Sequence, residues 1–211
     1  MNSRLTADDL MGLAPVIPVL TIERLEDALP LARALVASGL PVLEITLRTA
    51  CALDAIERIS GEIEGAVTGA GTVLGHRDFQ RAETAGAKFI ISPGLTEPLI
   101  GAAANSPLAF LPGVATATEV MKGLDAGLTR FKFFPAETSG GAPALKALLG
   151  PFGAVCFCPT GGITAATAPS YLALPNVACV GGGWVAPPDA MAAGDWERIA
   201  GLARAARALA G

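Results

Sequence analysis

Histidine is almost missing from this 211-residue chain, where His76 stands alone. A metal site built on two histidines is thereby excluded, as is a histidine relay, and a Ser-His-Asp triad has only His76 to run through. The four cysteines (Cys51, Cys156, Cys158 and Cys179) form no CxxC pair and show no regular spacing. That argues against a disulfide framework and for a reducing compartment. Charged residues make up only 16% of the chain against 52% hydrophobic, so a disordered protein is ruled out. A basic excess is also missing: 15 Lys+Arg face 19 Asp+Glu, a net charge of −4, which speaks against nucleic acid as a partner. Long apolar runs are absent too, since Gly or Pro interrupts every stretch approaching the ~18 residues of a membrane span. The apolar stretch 10–20 follows Asp8 and Asp9 and is broken by Pro15 and Pro18, unlike a signal peptide. A cytoplasmic protein without a membrane partner is expected. Lysine is scarce, at Lys88, Lys122, Lys132 and Lys146, so the setting of each one carries information.

What is present is a regular alternation. Runs rich in Val, Ile and Phe occur at 16–20, 42–46, 66–73, 89–93, 109–114, 130–135, 155–160 and 177–182, most of them bounded by Gly or Pro. That is the strand signature. Helical patterns lie between them. In 23–37 the apolar residues share one face and Gly39 stops the helix, with Pro30 expected to kink it. Segments 50–60, 118–126 (Thr118 as cap) and 195–209 (Asp195 as cap) repeat the theme. Alternating strands and helices predict a parallel sheet covered on both faces. A closed (β/α)8 TIM barrel fits the repeat count. An open doubly wound sheet is the competitor, weakened because no GxGxxG follows the first strand. The favoured reading is one α/β barrel domain over residues 1–211, with residues 1–12 as an N-terminal lead-in helix.

Barrel chemistry sits at the C-terminal ends of the strands. In Val42-Leu43-Glu44-Ile45-Thr46, period two puts Glu44 on the face of Val42 and Thr46. A carboxylate there is either half of a structural ion pair or catalytic. Arg48, just past the strand, suits an anion through two parallel hydrogen bonds, or is a plain surface arginine. In Arg130-Phe131-Lys132-Phe133-Phe134-Pro135, the same period sends Phe131 and Phe133 to the helical layer and Lys132 into the barrel. Desolvation there favours a neutral amine, the nucleophile that forms a Schiff base with a ketone. The alternatives are a snorkelling lysine or a structural pair with Glu44. Two glycine runs, Thr160-Gly161-Gly162 and Gly181-Gly182-Gly183, follow the last two strands, where barrels often cradle phosphate with backbone N–H groups. Gly69-Ala70-Gly71-Thr72 ends the third strand, where Thr72 adds a hydroxyl to the site. Ser92-Pro93-Gly94 and Pro112-Gly113 read as sharp turns, and no role emerges for Arg130 or His76.

LEITLRT (43–49), GAGTV (69–73), ISPGLTEP (91–98), FKFFPAE (131–137), FCPTGGI (157–163) and GGGW (181–184) occur in this order. Together they resemble the 2-keto-3-deoxy-6-phosphogluconate / 4-hydroxy-2-oxoglutarate aldolase family, from about Pro15 to the last helix. The resemblance implies a homotrimeric class I aldolase barrel without metal or cofactor, acting on a small keto acid. It implies Lys132 as Schiff-base lysine and Glu44 as general acid/base. It sets Arg48 and Thr72 around the pyruvyl carboxylate, Pro93 and Phe134 along the pocket, and Thr160 against the substrate. Gly161, Gly162, Gly182 and Gly183 are implied at the phosphate. The last motif departs from the usual Gly-Gly-Ser-Trp: Gly183 replaces the serine, which removes a hydroxyl donor to phosphate unless a backbone amide or water replaces it. The implied reaction is cleavage of 2-keto-3-deoxy-6-phosphogluconate to pyruvate and glyceraldehyde 3-phosphate, a step of the Entner-Doudoroff route. The alternatives are 4-hydroxy-2-oxoglutarate or a related sugar acid as substrate, an isomerase barrel without an imine, and a non-catalytic phosphosugar-binding module.

Overall fold

The computed structural model describes residues 4–209. Helix α1 (Ala7–Gly12) precedes eight strands: β1 (Val16–Leu20), β2 (Val42–Thr46), β3 (Val67–Gly71), β4 (Phe89–Ser92), β5 (Ala109–Val114), β6 (Arg130–Phe133), β7 (Cys156–Pro159) and β8 (Val180–Gly182). The helices after β1 to β7 are α2 (Ala28–Ala37), α3 (Ala52–Glu62), α4 (His76–Thr84), α5 (Glu97–Ala104), α6 (Ala117–Asp125), α7 (Gly141–Leu149) and α8 (Ala168–Leu172). Two more, α9 (Pro188–Ala193) and α10 (Trp196–Arg207), follow β8. All strand pairs are parallel, in the order β7-β6-β5-β4-β3-β2-β1-β8. Bridges Phe157–Val177 and Thr160–Gly181 join the two ends. The result is a nearly closed (β/α)8 barrel, as expected.

The strands bury both faces. Val42 through Thr46 and Ala109 through Val114 are buried throughout, which accounts for their nearly continuous apolar sequence. Outward residues such as Phe131, Phe133 and Phe157 pack with the helices into one large core. The lumen below the site has a separate core that includes Ile17, Val42, Phe89, Leu111, Cys158 and Cys179. Leu10 and Met11 of α1, both fully buried, plug its lower end. Arg130 gains its role here: its guanidinium donates to both oxygens of Asp8 at 2.6 and 2.8 Å, tying α1 to β6. All four cysteines are free thiols.

Four local expectations need correction. The lead-in helix starts at Ala7, not at residue 1, because the Thr6 side chain accepts from the Asp9 backbone and caps it; residues 1–3 lie outside the described residues, as do 210–211. Pro30 does not interrupt its helix. A 3₁₀ turn takes up Leu25–Asp27, α2 begins at Ala28, and Pro30 sits in the first turn, where its missing N–H breaks no helical bond. The cap of α6 is Thr116, in a capping box with Glu119, rather than Thr118. Strand β3 ends at Gly71, so Thr72 lies in the following loop, with φ 58°.

Packing between strands is close enough to forbid side chains at certain glycines. A Cβ on Gly69 would lie 2.5 Å from the ring and the carbonyl oxygen of Phe89. Gly69→Ala is therefore expected to cost about 1–3 kcal/mol through overpacking. At this chain length that corresponds to a melting midpoint lower by roughly 2–12 °C, readable by circular dichroism. An unchanged midpoint would show that β3 and β4 have slack.

Candidate active site

Strands β2 and β6 are four positions apart around an eight-stranded ring, so they face each other across the lumen. Glu44 and Lys132 both point inward, and Lys132 Nζ donates to Glu44 Oε1 at 2.9 Å. The two are 1% and 6% exposed. The pairing with Glu44, an alternative in the sequence, is therefore present, and the amine also has the apolar neighbour expected of it, the Phe134 ring centroid 5.4 Å from Nζ. The other lysines differ in kind: Lys88 and Lys146 are exposed, and Lys122 pairs with Glu97 on the surface.

Two glycines that are not among the four implied at the phosphate make this centre possible. A Cβ on Gly71 would collide with the Glu44 carboxylate, and one on Gly181 with the Thr160 hydroxyl. Small residues on β3 and β8 thus leave space for functional side chains on β2 and after β7. The cost of packing such a carboxylate into a strand is met by missing side chains on neighbouring strands.

Above the pair opens a cavity of about 840 Å³ at the C-terminal ends of the strands. Arg48, Phe134, Thr160, Gly161, Gly162, Gly182 and Gly183 line it, which unites seven of the expected site residues. Lys132 and Glu44 are not on its wall but border it through Phe134. Thr72 connects through Arg48, whose Nε donates to its hydroxyl at 3.3 Å. Its positive φ is a backbone strain of the kind that clusters at functional sites. Pro93 is not on the wall either. Its carbonyl fills the place of a Cβ on Gly113, the residue paired with Lys132 across β5 and β6.

Gly161 and Gly162 have φ of 106° and 79°, a conformation open to glycine, and this shapes the loop after β7. Gly182 has a second reason for being glycine, because the Trp184 ring occupies the space of its Cβ. Gly183 is different. Its Cβ would meet only the Val19 carbonyl oxygen at 3.5 Å, so a serine would fit there.

Sequence reasoning missed Glu137 and Tyr171. The loop after β6 is laced to the loop after β7 by Ala136 N–H to Thr160 O (2.8 Å) and Glu137 N–H to Gly161 O (3.1 Å). The buried Tyr171 donates its hydroxyl to Glu137 at 2.6 Å, beneath Gly162. Burial, then this bond to a carboxylate, raises the phenol well above its ordinary range and keeps it a donor. Tyr171 is the single tyrosine of the chain, which was the available signal. Among the described residues no group of three His, Cys, Asp or Glu is arranged to hold a metal, and no helix is long and apolar enough to cross a membrane.

A buried amine and carboxylate below an open cavity suit covalent carbonyl chemistry with proton exchange. Comparison with known proteins points the same way. The chain is 52% identical over 205 residues to the KHG/KDPG aldolase of Escherichia coli K12, covering 97% of this chain and 96% of that one. It is 55% identical over 201 residues to the 2-dehydro-3-deoxy-phosphogluconate aldolase of Zymomonas mobilis, covering 95% of each. Among solved structures, the KDPG aldolase of Legionella pneumophila, captured with pyruvate as a covalent carbinolamine, superposes with a TM-score of 0.95. It is 46% identical, over 97% of this chain and 100% of that one. Residues 7–202 match the profile of KDPG and KHG aldolases, and the chain belongs to that family of carbon–carbon lyases.

Proposed function

We propose that this aldolase cleaves 2-keto-3-deoxy-6-phosphogluconate reversibly to pyruvate and glyceraldehyde 3-phosphate. The observation that carries the reading is the buried Lys132–Glu44 pair at 2.9 Å, on opposite strands beneath the cavity. The names of the relatives in Zymomonas and Legionella support the substrate.

Glu44 takes a proton from the Lys132 ammonium, and the free amine attacks the C2 carbonyl to give a carbinolamine. Glu44 returns a proton to the departing hydroxyl, water leaves, and a protonated imine forms. A base removes the C4 hydroxyl proton. The C3–C4 bond then breaks, with its electron pair drawn toward the imine. Glyceraldehyde 3-phosphate departs, leaving an enamine that is protonated at C3 and hydrolysed to pyruvate. Arg48 and Thr72 receive the keto-acid carboxylate. Phe134 and Pro93 flank the reacting carbons, and Thr160 contacts the substrate. Backbone N–H groups of Gly161, Gly162, Gly182 and Gly183 face the phosphate, where they bind anions without bringing net charge.

Residues 1–211 as one domain, a homotrimeric assembly and a cytoplasmic location complete the proposal. The trimer and domain extent rest on family resemblance, and the location on four free thiols.

Incubation with pyruvate and borohydride, followed by peptide mapping, is expected to find one reduced adduct, on Lys132. An adduct on Lys88, Lys122 or Lys146 instead would refute the assignment. Pyruvate release from phosphorylated and unphosphorylated keto acids, and from 4-hydroxy-2-oxoglutarate, then ranks the substrates. A clear preference for 4-hydroxy-2-oxoglutarate would overturn the substrate but not the chemistry.

A further inference from the structure

The cavity wall carries a second cation that the reaction scheme leaves unused. Arg24 and Arg48 are the two basic residues lining it. They follow the neighbouring strands β1 and β2. Arg48 follows β2 and reaches Thr72 beyond β3. Arg24 follows β1, whose other neighbour is β8, paired to it through Pro18 and Gly182. Arg24 therefore shares its part of the wall with Gly182 and Gly183, the loop read above as facing the phosphate.

The side chain is held in a specific way. Asp27 accepts from Arg24 Nε at 2.8 Å and from Nη2 at 2.9 Å. The carboxylate is the buried member, at 9% side-chain exposure against 48% for the arginine. One edge of the guanidinium is clamped, while Nη1 has no hydrogen-bond partner among the described residues. A planar five-donor fork held along one edge keeps a further edge free, with geometry that matches a phosphate.

The charge balance of the substrate points to the same residue. A keto acid with a terminal phosphate carries an anion at each end. Arg48 serves the carboxylate end. At the other end Gly183 offers no hydroxyl, and backbone amides bring no net charge. A phosphate entering a largely apolar cavity gains from a charge-assisted donor, and Arg24, although paired with Asp27 and beside Glu23 on the same wall, is the guanidinium on that side.

We propose that Arg24 is a specificity-determining residue: its open guanidinium edge binds the terminal phosphate, and Asp27 is the strut that aims it. The inference rests on the aldolase reading above and extends it to how the phosphate is recognised. It is tested with Arg24→Gln and Arg24→Lys in the full chain. Each is assayed on 2-keto-3-deoxy-6-phosphogluconate and on its unphosphorylated counterpart. Losing one charge-assisted contact should raise the KM of Arg24→Gln for the phosphorylated acid about tenfold or more, with kcat changed less than about twofold. KM for the unphosphorylated acid should stay within about twofold, and Arg24→Lys should recover part of the loss. Inorganic phosphate should inhibit the wild type competitively and the Gln variant more weakly. Equal KM changes on both substrates, or no change on either, would overturn the role of Arg24. Borohydride trapping of pyruvate on Lys132 separates the two readings: trapping that persists leaves the aldolase standing when Arg24 fails. A wild type that neither traps nor releases pyruvate removes both.

Discussion

Lys132→Met is expected to lower the cleavage rate by at least about 10⁴-fold and to abolish the borohydride adduct, because no other group can form the imine. The same change strands the Glu44 carboxylate in the lumen, where it is 1% exposed. Breaking a buried pair from one side costs about 3–5 kcal/mol, so the melting midpoint should fall by roughly 6–20 °C. The two effects need separating. Lys132→Arg keeps a cation beside Glu44 but supplies no nucleophile, so it should retain more of the stability than the Met variant and none of the activity. Pyruvate release by either variant above about one hundredth of the wild-type rate would remove Lys132 from the mechanism. A stable but inactive Arg variant would show that the loss is chemical rather than structural.

Glu44→Gln carries the second large effect. The amide oxygen can still accept from Nζ across the 2.9 Å contact, so the geometry is conserved. What disappears is a group that takes and returns protons. Removing a positioned acid/base typically costs about 10²–10⁴-fold, and the loss should appear in kcat more than in KM. Single-turnover kinetics should show slow carbinolamine dehydration, with pyruvate still reducible onto Lys132, only more slowly. A kcat within about threefold of wild type would mean that water or another residue moves these protons.

Much of the fold was legible because its signals are local. Eight apolar runs, most of them bounded by Gly or Pro, mark all eight strands within a few residues of their ends. Where boundaries moved, a competing local interaction won. The Thr6 hydroxyl fixed the start of α1, the Thr116–Glu119 box fixed the start of α6, and a 3₁₀ turn placed Pro30 at a harmless position. Arg24 reads as an ordinary member of the helical pattern 23–37, and Tyr171 falls outside every segment that the sequence pattern marks. Asp27 stands at the i,i+3 spacing from Arg24, whereas Glu137 lies 34 residues from Tyr171, and only the cavity and the loop contacts show what the two pairs border.

Period two along a strand decides which face a side chain takes, and that alone set Glu44 and Lys132 inward and Phe131 and Phe133 outward. It says nothing about which inward groups meet. That depends on ring closure, which brings together residues 88 apart in the chain at the centre of a lumen. The reason for Gly71 and Gly181 likewise exists only between strands, since each glycine leaves room for a side chain that the neighbouring strand or its following loop supplies. Facing direction is a property of one backbone segment, whereas contact and available volume are properties of the closed barrel.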